Sequence, residues 1–474
     1  MNKKILLIDP PWIISSDSNL WKKISSCYPS LGLSYIAAVL ENEGHEVKYI
    51  DCTAQKLDLK GLIEVIKRYK REGYYPDYVG ITATTALIHN AYIVADRFKK
   101  EFKDTKIVLG GTHPTILPKE AIKHADYVVI GEGEFTFREL AGGEDLKSIK
   151  GLVYRNKGKV IMNDLREQIS DLNTLPIPAY HLLPMDKYRP PLGSYENLPA
   201  MIIVSSRNCN GRCTYCFHLG KRITFRSAEN IIKEVKYLVD NYSIKEIQFY
   251  DDNFLLYKKN VLEFCKLLKK NKIKISWTCF SRIDAITRDG NVDMEYLKRL
   301  KASGLHLILF GVETADENVM RVINKRLNIN DVKPTIDACR KVGISTRCSY
   351  MLGNQSDTIE TCRKTIDFAI TVDSDTAQFN IATPYPGTQF YDWAKRNNYL
   401  LKTKSWENFN VSDQVLKLPT ISNREIKKLY IEAHKRYYIR LKIMVRRIMK
   451  IKTFTQLFQE IKGGFIVLFF GEQD

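Results

Sequence analysis

Short, almost wholly apolar runs alternate along this chain with longer stretches in which apolar residues recur every three or four positions. In the first third the runs fall at residues 5–8, 47–50, 79–83, 107–109 and 127–130, with periodic stretches at 33–43, 59–70 and 91–102 between them. A run of this length suits a strand covered on both faces, and the longer period is that of a helix with one buried face. Strands alternating with helices predict a doubly wound parallel sheet over residues 1–150, with ligands bound beyond the carboxyl ends of its strands. Residues 151–198 break the pattern. Leu175-Pro176-Ile177-Pro178 and Tyr188-Arg189-Pro190-Pro191 cannot continue a helix or a central strand, so an extended linker is expected. The alternation returns over 199–420, with runs at 201–204, 246–250, 275–279, 307–310, 346–351 and 377–382 and helical stretches at 228–241, 259–271, 294–302, 332–341 and 359–371. Six such units predict a partial (β/α)6 barrel, with its chemistry on the loops after the strands. Over 421–474, Ile426, Leu429, Tyr430, Ala433, Tyr437, Leu441, Met444, Val445 and Ile448 keep helical spacing and predict one or two helices with a continuous apolar face.

Length and composition fit this division. A chain of 474 residues, 44% hydrophobic, is long enough for two or three domains with sizeable cores. The N-terminal apolar run is too short for a signal peptide, and no segment reaches the length of a membrane-spanning helix. A cytosolic, reducing location follows, so the ten cysteines are not read as disulfides. The net charge is +19, and residues 421–452 hold eleven Lys and Arg against two Glu. A basic amphipathic segment of this kind, followed by the short apolar run 465–470, either packs over the barrel or rests on the inner face of a membrane. Nothing in the pattern points to nucleic acid.

Candidate chemistry gathers where the strands end. In the first region these places hold Asp9-Pro10-Pro11, Thr82-Ala83-Thr84-Thr85, Gly110-Gly111-Thr112-His113-Pro114-Thr115 and Gly131-Glu132-Gly133-Glu134. One such piece is ordinary turn chemistry, but four at successive strand ends outline a ligand crevice. His113 reads as a turn residue. In the second region the first strand is followed by Arg-Asn-Cys209-Asn-Gly-Arg-Cys213-Thr-Tyr215-Cys216-Phe217-His218. Three thiolates so spaced can hold three irons of a [4Fe–4S] cluster and leave the fourth iron open. Zinc, which takes four ligands, is the competing reading, with His218 as the fourth. Later strand ends carry Asp251-Asp252-Asn253, Ser281-Arg282, Gly311-Val312-Glu313, Gly353-Asn354 and Pro384-Tyr385-Pro386-Gly387-Thr388.

The cysteine triplet, with aromatic Tyr215 before its last member, resembles the signature of radical SAM enzymes. The four N-terminal pieces, with Tyr28-Pro29-Ser30-Leu31-Gly32-Leu33-Ser34-Tyr35, resemble the cobalamin-binding domain of the cobalamin-dependent members of that superfamily. The resemblance runs to about residue 395. It implies an α/β chain with an N-terminal doubly wound, Rossmann-like cobalamin-binding domain, a partial (β/α)6 radical SAM barrel and a helical C-terminal extension. The implied cofactors are a [4Fe–4S] cluster on Cys209, Cys213 and Cys216, S-adenosyl-L-methionine (SAM), and cobalamin. Tyr215, Phe217, Asp252, Arg282 and Glu313 would meet SAM. Asp252 (or Asp251) would accept from its ammonium, Arg282 pair with its carboxylate and Glu313 bond its ribose. Pro11, Thr84, Gly110, Gly111, Thr115, Glu132 and Gly133 would meet cobalamin. None of the eight histidines lies in an Asp-x-His-x-x-Gly motif, so no histidine below the cobalt is expected. Met351-Leu352-Gly353-Asn354-Gln355 departs from the family's usual Gly-x-Pro. The implied activity is methylation of an unactivated carbon of a small-molecule or lipid-like substrate, by way of a 5′-deoxyadenosyl radical and methylcobalamin. A low-potential donor such as flavodoxin or ferredoxin would supply the electron. The alternatives are a cyclase or rearrangement enzyme using the same cofactors, and a non-catalytic iron–sulfur or cobalamin sensor.

Overall fold

A computed structural model describes residues 2–12, 27–191, 193–220, 222–401, 406–409 and 414–449. The apolar run 465–470 lies outside the described residues. Two mainly parallel sheets organise the chain. The first contains β1 (Lys4–Asp9), β2 (Glu46–Asp51), β3 (Tyr78–Thr82), β4 (Lys106–Gly110), β5 (Tyr127–Val129), β6 (Leu152–Asn156) and β7 (Lys159–Met162), in the order β2-β1-β3-β4-β5-β6-β7. Strand β1 shows why its residues are apolar without interruption. Ile5 and Leu7 enter one core, Leu6 and Ile8 a second on the opposite face, so each successive side chain meets a different helix layer. The chain reverses direction of growth between β1 and β3, and that switch point opens the crevice at the carboxyl ends.

Strands β6 and β7 pair antiparallel with β5 and with each other, inside the stretch expected to be an extended linker. Lys157 and Gly158 both take positive φ (47° and 79°), the turn that a tight hairpin needs. The hairpin escaped the apolar pattern because β7 is largely exposed. The rest of the connector packs as well: Ile169, Leu172, Leu175, Tyr180 and Tyr188 are buried.

The second sheet runs β8 (Ala200–Ile203), β11 (Glu246–Phe249), β12 (Ser276–Ser281), β15 (Leu305–Glu313), β16 (Ser345–Leu352) and β17 (Thr376–Ile381), all parallel and in chain order, a partial barrel with β8 and β17 at its edges. Two small ribbons accompany it, β9 (Ser206–Arg207) with β10 (Thr224–Phe225), and β13 (Thr287–Arg288) with β14 (Asn291–Val292). Helices at Ala228–Tyr242, Lys258–Lys270, Met294–Ala302, Val332–Val342 and Ile359–Val372 cover its outside.

The helix Asn423–Tyr438 starts in a capping box of Ser422 and Glu425. It buries Ile426, Leu429, Ala433 and Tyr437 against the barrel. Its last residue treats the open edge of β17: Tyr438 Oη donates to Ala377 O at 2.6 Å and accepts from Ala377 N at 3.2 Å. An edge strand presents such unpaired groups, and a side chain that takes them up blunts the edge. The helix ends here, and the apolar positions continue on a second one. After Arg440 a second helix, Leu441–Ile448, is fastened through Lys442 and Arg446, each 2.8 Å from Asp373, and leaves Leu441, Met444 and Val445 exposed. Among the described residues no helix is long and apolar enough to cross a membrane.

Candidate active site

The loop after β8 is fixed before its cysteines are reached. Asp251, buried at the end of β11, accepts from Ser205 N at 3.1 Å, from Ser205 Oγ at 2.8 Å and from Ser206 Oγ. Burial pushes its carboxyl up to about 6, against the pull of these bonds. Further on, Thr214 N donates to Ile323 O at 3.0 Å, Phe390 N to Thr214 O at 2.9 Å, and Asn324 Nδ2 to Arg212 O at 2.8 Å. Between these anchors lie the thiols. Gly211 N donates to Cys209 Sγ at 3.3 Å, and a Cβ on Gly211 would stand 3.5 and 3.8 Å from the sulfurs of Cys209 and Cys213. Glycine thus keeps the space beside the thiols clear. The Cys216 thiol bonded to Cys213, helped by Lys325 and Tyr215, holds Cys213 down at about 6, while the shared proton holds Cys216 well above its usual range. All ten cysteines are free, and Cys216 is the exposed one of the three. Among the described residues no three His, Cys, Asp or Glu side chains are gathered tightly enough to hold a single metal ion. Three free thiols on one anchored loop, flanked by Lys325 and Arg282, suit an iron–sulfur cluster whose charge they would share.

A cleft of about 480 Å³ separates this loop from the first sheet. Gly110, Gly111, Thr115, Gly131, Glu132 and Gly133 line one side, and Arg207, Asn208, Phe217, Tyr250 and Asp252 the other. Residues expected to meet two different cofactors therefore face each other. Gly111 has φ +98°, and a Cβ there would lie 2.7 Å from Ala83 O, so only glycine lets the ends of β3 and β4 approach. Thr115 Oγ1 accepts from Gly131 N at 3.0 Å and ties the two glycine turns together. Gly80, Val108 and Phe137 supply an apolar floor. A glycine rim over an apolar floor suits a large ring system such as cobalamin. No histidine is among the lining residues.

The other expected residues are placed as follows. Pro11 and Thr84 do not line the cleft. Pro11 is turned toward the Ile88–Glu101 helix, where its carbonyl accepts from Asn90 Nδ2 at 2.6 Å, and Thr84 caps the short turn Thr85–Leu87. His113 is no turn residue. It is fully buried in the helix Thr112–Ile116, bonded to Thr85 and 3.5 Å from Glu120 Oε1. Asp251 is committed to the serines, which leaves Asp252 as the acid on the cleft. Arg282 spends Nε and Nη2 on Asp284, at 3.0 and 2.9 Å, and also donates to the carbonyls of Lys325 and Arg326. A carboxylate two residues away has captured the fork expected to meet SAM. Glu313 sits at φ +74° after a bulge in β15 and pairs with buried Lys325 at 3.2 Å, beside Tyr215 rather than on the cleft. At the departure from Gly-x-Pro, Asn354 N donates to Asp357 Oδ2 at 2.7 Å and closes the turn without a proline.

The sequence assigned no role to three positions. Arg207 Nη1 and Nη2 each stand 2.6 Å from a carboxylate, Glu132 and Glu134 respectively, while the other Glu132 oxygen accepts from Ile169 N. Arg207 is two residues from Cys209, and both glutamates sit just beyond β5 of the first sheet, at the start of the helix Gly133–Gly142. Glu132 thereby clamps the cysteine loop and is not a free cofactor contact. Lys325 follows the short helix Glu317–Val322, away from any strand end. Asn253 Oδ1 accepts from Ser281 Oγ and Arg282 N, joining two strand ends. Arg207 and Asn253 each had one signal, a place just before the triplet and a place at a strand end; Lys325 had none.

Residues 20–141 match the family model described as B12 binding domain, and residues 203–369 match that of the Radical SAM superfamily. The fold and these matches define the class: a radical SAM enzyme with a B12-binding domain. The chain is 35% identical over 457 residues to an uncharacterized methyltransferase, PH0819, of Pyrococcus horikoshii, across 94% of this chain and 95% of that one, and it belongs to the same family. It is 24% identical to the anaerobic magnesium-protoporphyrin IX monomethyl ester cyclase of Rubrivivax gelatinosus, over 88% of this chain and 75% of that one. Its fold superposes with a TM-score of 0.72 on the cobalamin-dependent S-adenosylmethionine radical enzyme OxsB, at 16% identity, over 98% of this chain and 75% of that one.

Proposed function

We propose that this enzyme methylates an unactivated carbon of a small-molecule or lipid-like substrate. The observation that carries the reading is one shared cleft, with a glycine-rimmed sheet edge on one side and the cysteine loop with Asp252 on the other. When bound, the cluster and SAM supply a carbon-centred radical and cobalamin supplies the methyl group. The chain's own part is positional. Cys209, Cys213 and Cys216 hold the cluster, Asp252 accepts from the SAM ammonium, Phe217 covers the ligand, and Gly110, Gly111, Thr115 and Gly133 seat the corrin. Arg207 fixes one set against the other through Glu132 and Glu134. Exposed Cys216 leaves the loop reachable by a small electron donor such as flavodoxin or ferredoxin.

The test supplies methyl-deuterated SAM to anaerobically reconstituted enzyme with a metabolite extract from a deletion strain. Deuterated methyl in a new product, formed together with 5′-deoxyadenosine, is expected. Deoxyadenosine with an unlabelled, cyclised or rearranged product would favour cyclase chemistry instead. Peripheral membrane contact through the exposed Leu441, Met444 and Val445 is part of the proposal. Salt-sensitive sedimentation with anionic vesicles is expected, and sedimentation unchanged on deleting residues 441–474 contradicts it.

A further inference from the structure

The barrel interior carries a cation that nothing else in the site uses. Along β16 the alternate residues Cys348 and Tyr350 face the outer helices, where Tyr350 stacks on Phe379 and Phe379 meets Tyr437. By the two-residue period of a strand, Arg347 and Ser349 face the opposite way, into the barrel. The register sets Arg347 between Leu309 of β15 and Thr376 of β17. Its neighbours are Tyr28 from the first sheet's side, Tyr250 at the end of β11, and Tyr438 and Arg447 from the C-terminal helices. Tyr250 also lines the cofactor cleft, so the interior around Arg347 adjoins it.

The partners of this guanidinium are few. Nε donates to Thr376 Oγ1 at 3.3 Å, and among the described residues no carboxylate pairs with it and neither Nη atom has a hydrogen-bond partner. Four other arginines around the cleft are matched: Arg166 with Glu139, Arg207 with Glu132 and Glu134, Arg226 with Glu234, Arg282 with Asp284. Arg347 is half-buried, and even a partial loss of water without a counter-charge is costly; a second guanidinium, Arg447, adds repulsion. Burial accordingly holds Arg347 below its ordinary range. Such a site is stable when an oxyanion completes it, because the planar fork matches carboxylate and phosphoryl oxygens. The net charge of +19 draws anions toward the molecule.

We propose that Arg347 is a substrate-binding residue that takes an oxyanion of the substrate, phosphoryl or carboxylate, and so orients the carbon to be methylated toward the cleft. This rests on the methyltransferase reading for the word substrate, whereas the anion site itself does not. Polar Ser349, Gln378 and Asn380, linked by Asn380 Nδ2 to Ser349 Oγ at 3.3 Å and Gln378 Nε2 to Asn380 Oδ1 at 3.2 Å, continue the same face toward the strand ends. They suit a polar ligand better than a bare hydrocarbon.

The experiment uses the reconstituted full-length enzyme with methylphosphonate and acetate as probes, read by calorimetry, and records substrate-free SAM cleavage in parallel. Wild type is expected to bind at least one probe, and the stronger one tells phosphoryl from carboxylate. Arg347→Gln should weaken that binding at least tenfold, Arg347→Lys less. Arg436→Gln, an outward arginine paired with Asp367, should bind as wild type does. Substrate-free SAM cleavage should stay at the wild-type level in Arg436→Gln. Wild type that binds neither probe, or Arg347→Gln that binds as wild type does, overturns the proposal. Loss of binding in both Arg347→Gln and Arg436→Gln also overturns it, as general charge. Absence of SAM cleavage in wild type would instead count against the methyltransferase reading.

Discussion

Asp251 and Asp252 are neighbours in sequence with opposite duties, and they can be separated by measurement. The Asp251 carboxyl titrates near 6 in the folded chain against 3.8 when unperturbed, so the folded chain binds that proton more tightly. Its contribution to stability is present at low pH and is lost as pH rises from about 4 to about 6, by up to about 3 kcal/mol. Asp251→Asn removes this dependence. The stability difference between wild type and variant, from urea unfolding of cluster-free protein, should shift toward the variant between pH 4.5 and 7; a constant difference contradicts the assignment. Asp252→Asn should leave stability within about 0.5 kcal/mol and raise the KM for SAM at least tenfold. At this scale the sequence was legible where chemistry is local: the three cysteines are set by spacing, and Asp252 by its place after a strand. Arg207 and Lys325 were not, because an arginine's partner 75 residues away and a lysine after an unremarkable helix leave no periodic trace.

Elements were legible wherever burial imposed a period. Helices such as Met294–Ala302 and Leu59–Arg71 lie where the apolar spacing put them, because one face meets a core. The β6–β7 hairpin and the helix Gly133–Gly142 were not, since an exposed edge strand needs no apolar run and a glycine-rich turn hides the helix start. The glycine turns themselves are sharply testable. Gly111→Ala places a Cβ against Ala83 O and forces a left-handed backbone, at a cost of about 2–4 kcal/mol. Thermal unfolding should show that loss together with weakened cobalamin retention; an unaltered melting curve would mean the strand ends are looser than they stand here. Arg207→Lys keeps the charge but cannot fork to both Glu132 and Glu134. Product formation should fall at least tenfold while iron and cobalamin contents stay near wild type. Full activity in that variant would show that the clamp does not align the two cofactor sites.

At the scale of the whole molecule, two sheets that the sequence announced separately share one cleft, and their juxtaposition is what the sequence withheld. It depends on long-range pairs: Arg207 with Glu132 and Glu134, Arg226 Nη1 with Tyr35 Oη at 3.2 Å, and Trp406 Nε1 with Glu120 Oε1 at 2.9 Å. The C-terminal helices complete the arrangement by covering the β17 edge and bringing Arg447 beside Arg347. We expect the triplet to hold a cluster that cleaves SAM in this shared site. The most direct test is the yield of 5′-deoxyadenosine from anaerobically reconstituted, reduced enzyme, wild type against the variant with Cys209, Cys213 and Cys216 all changed to Ala. Wild type should form deoxyadenosine and carry about four irons per chain, and the triple variant should do neither. Equal yields from the two proteins, or zinc in place of iron in the wild type, would contradict the account.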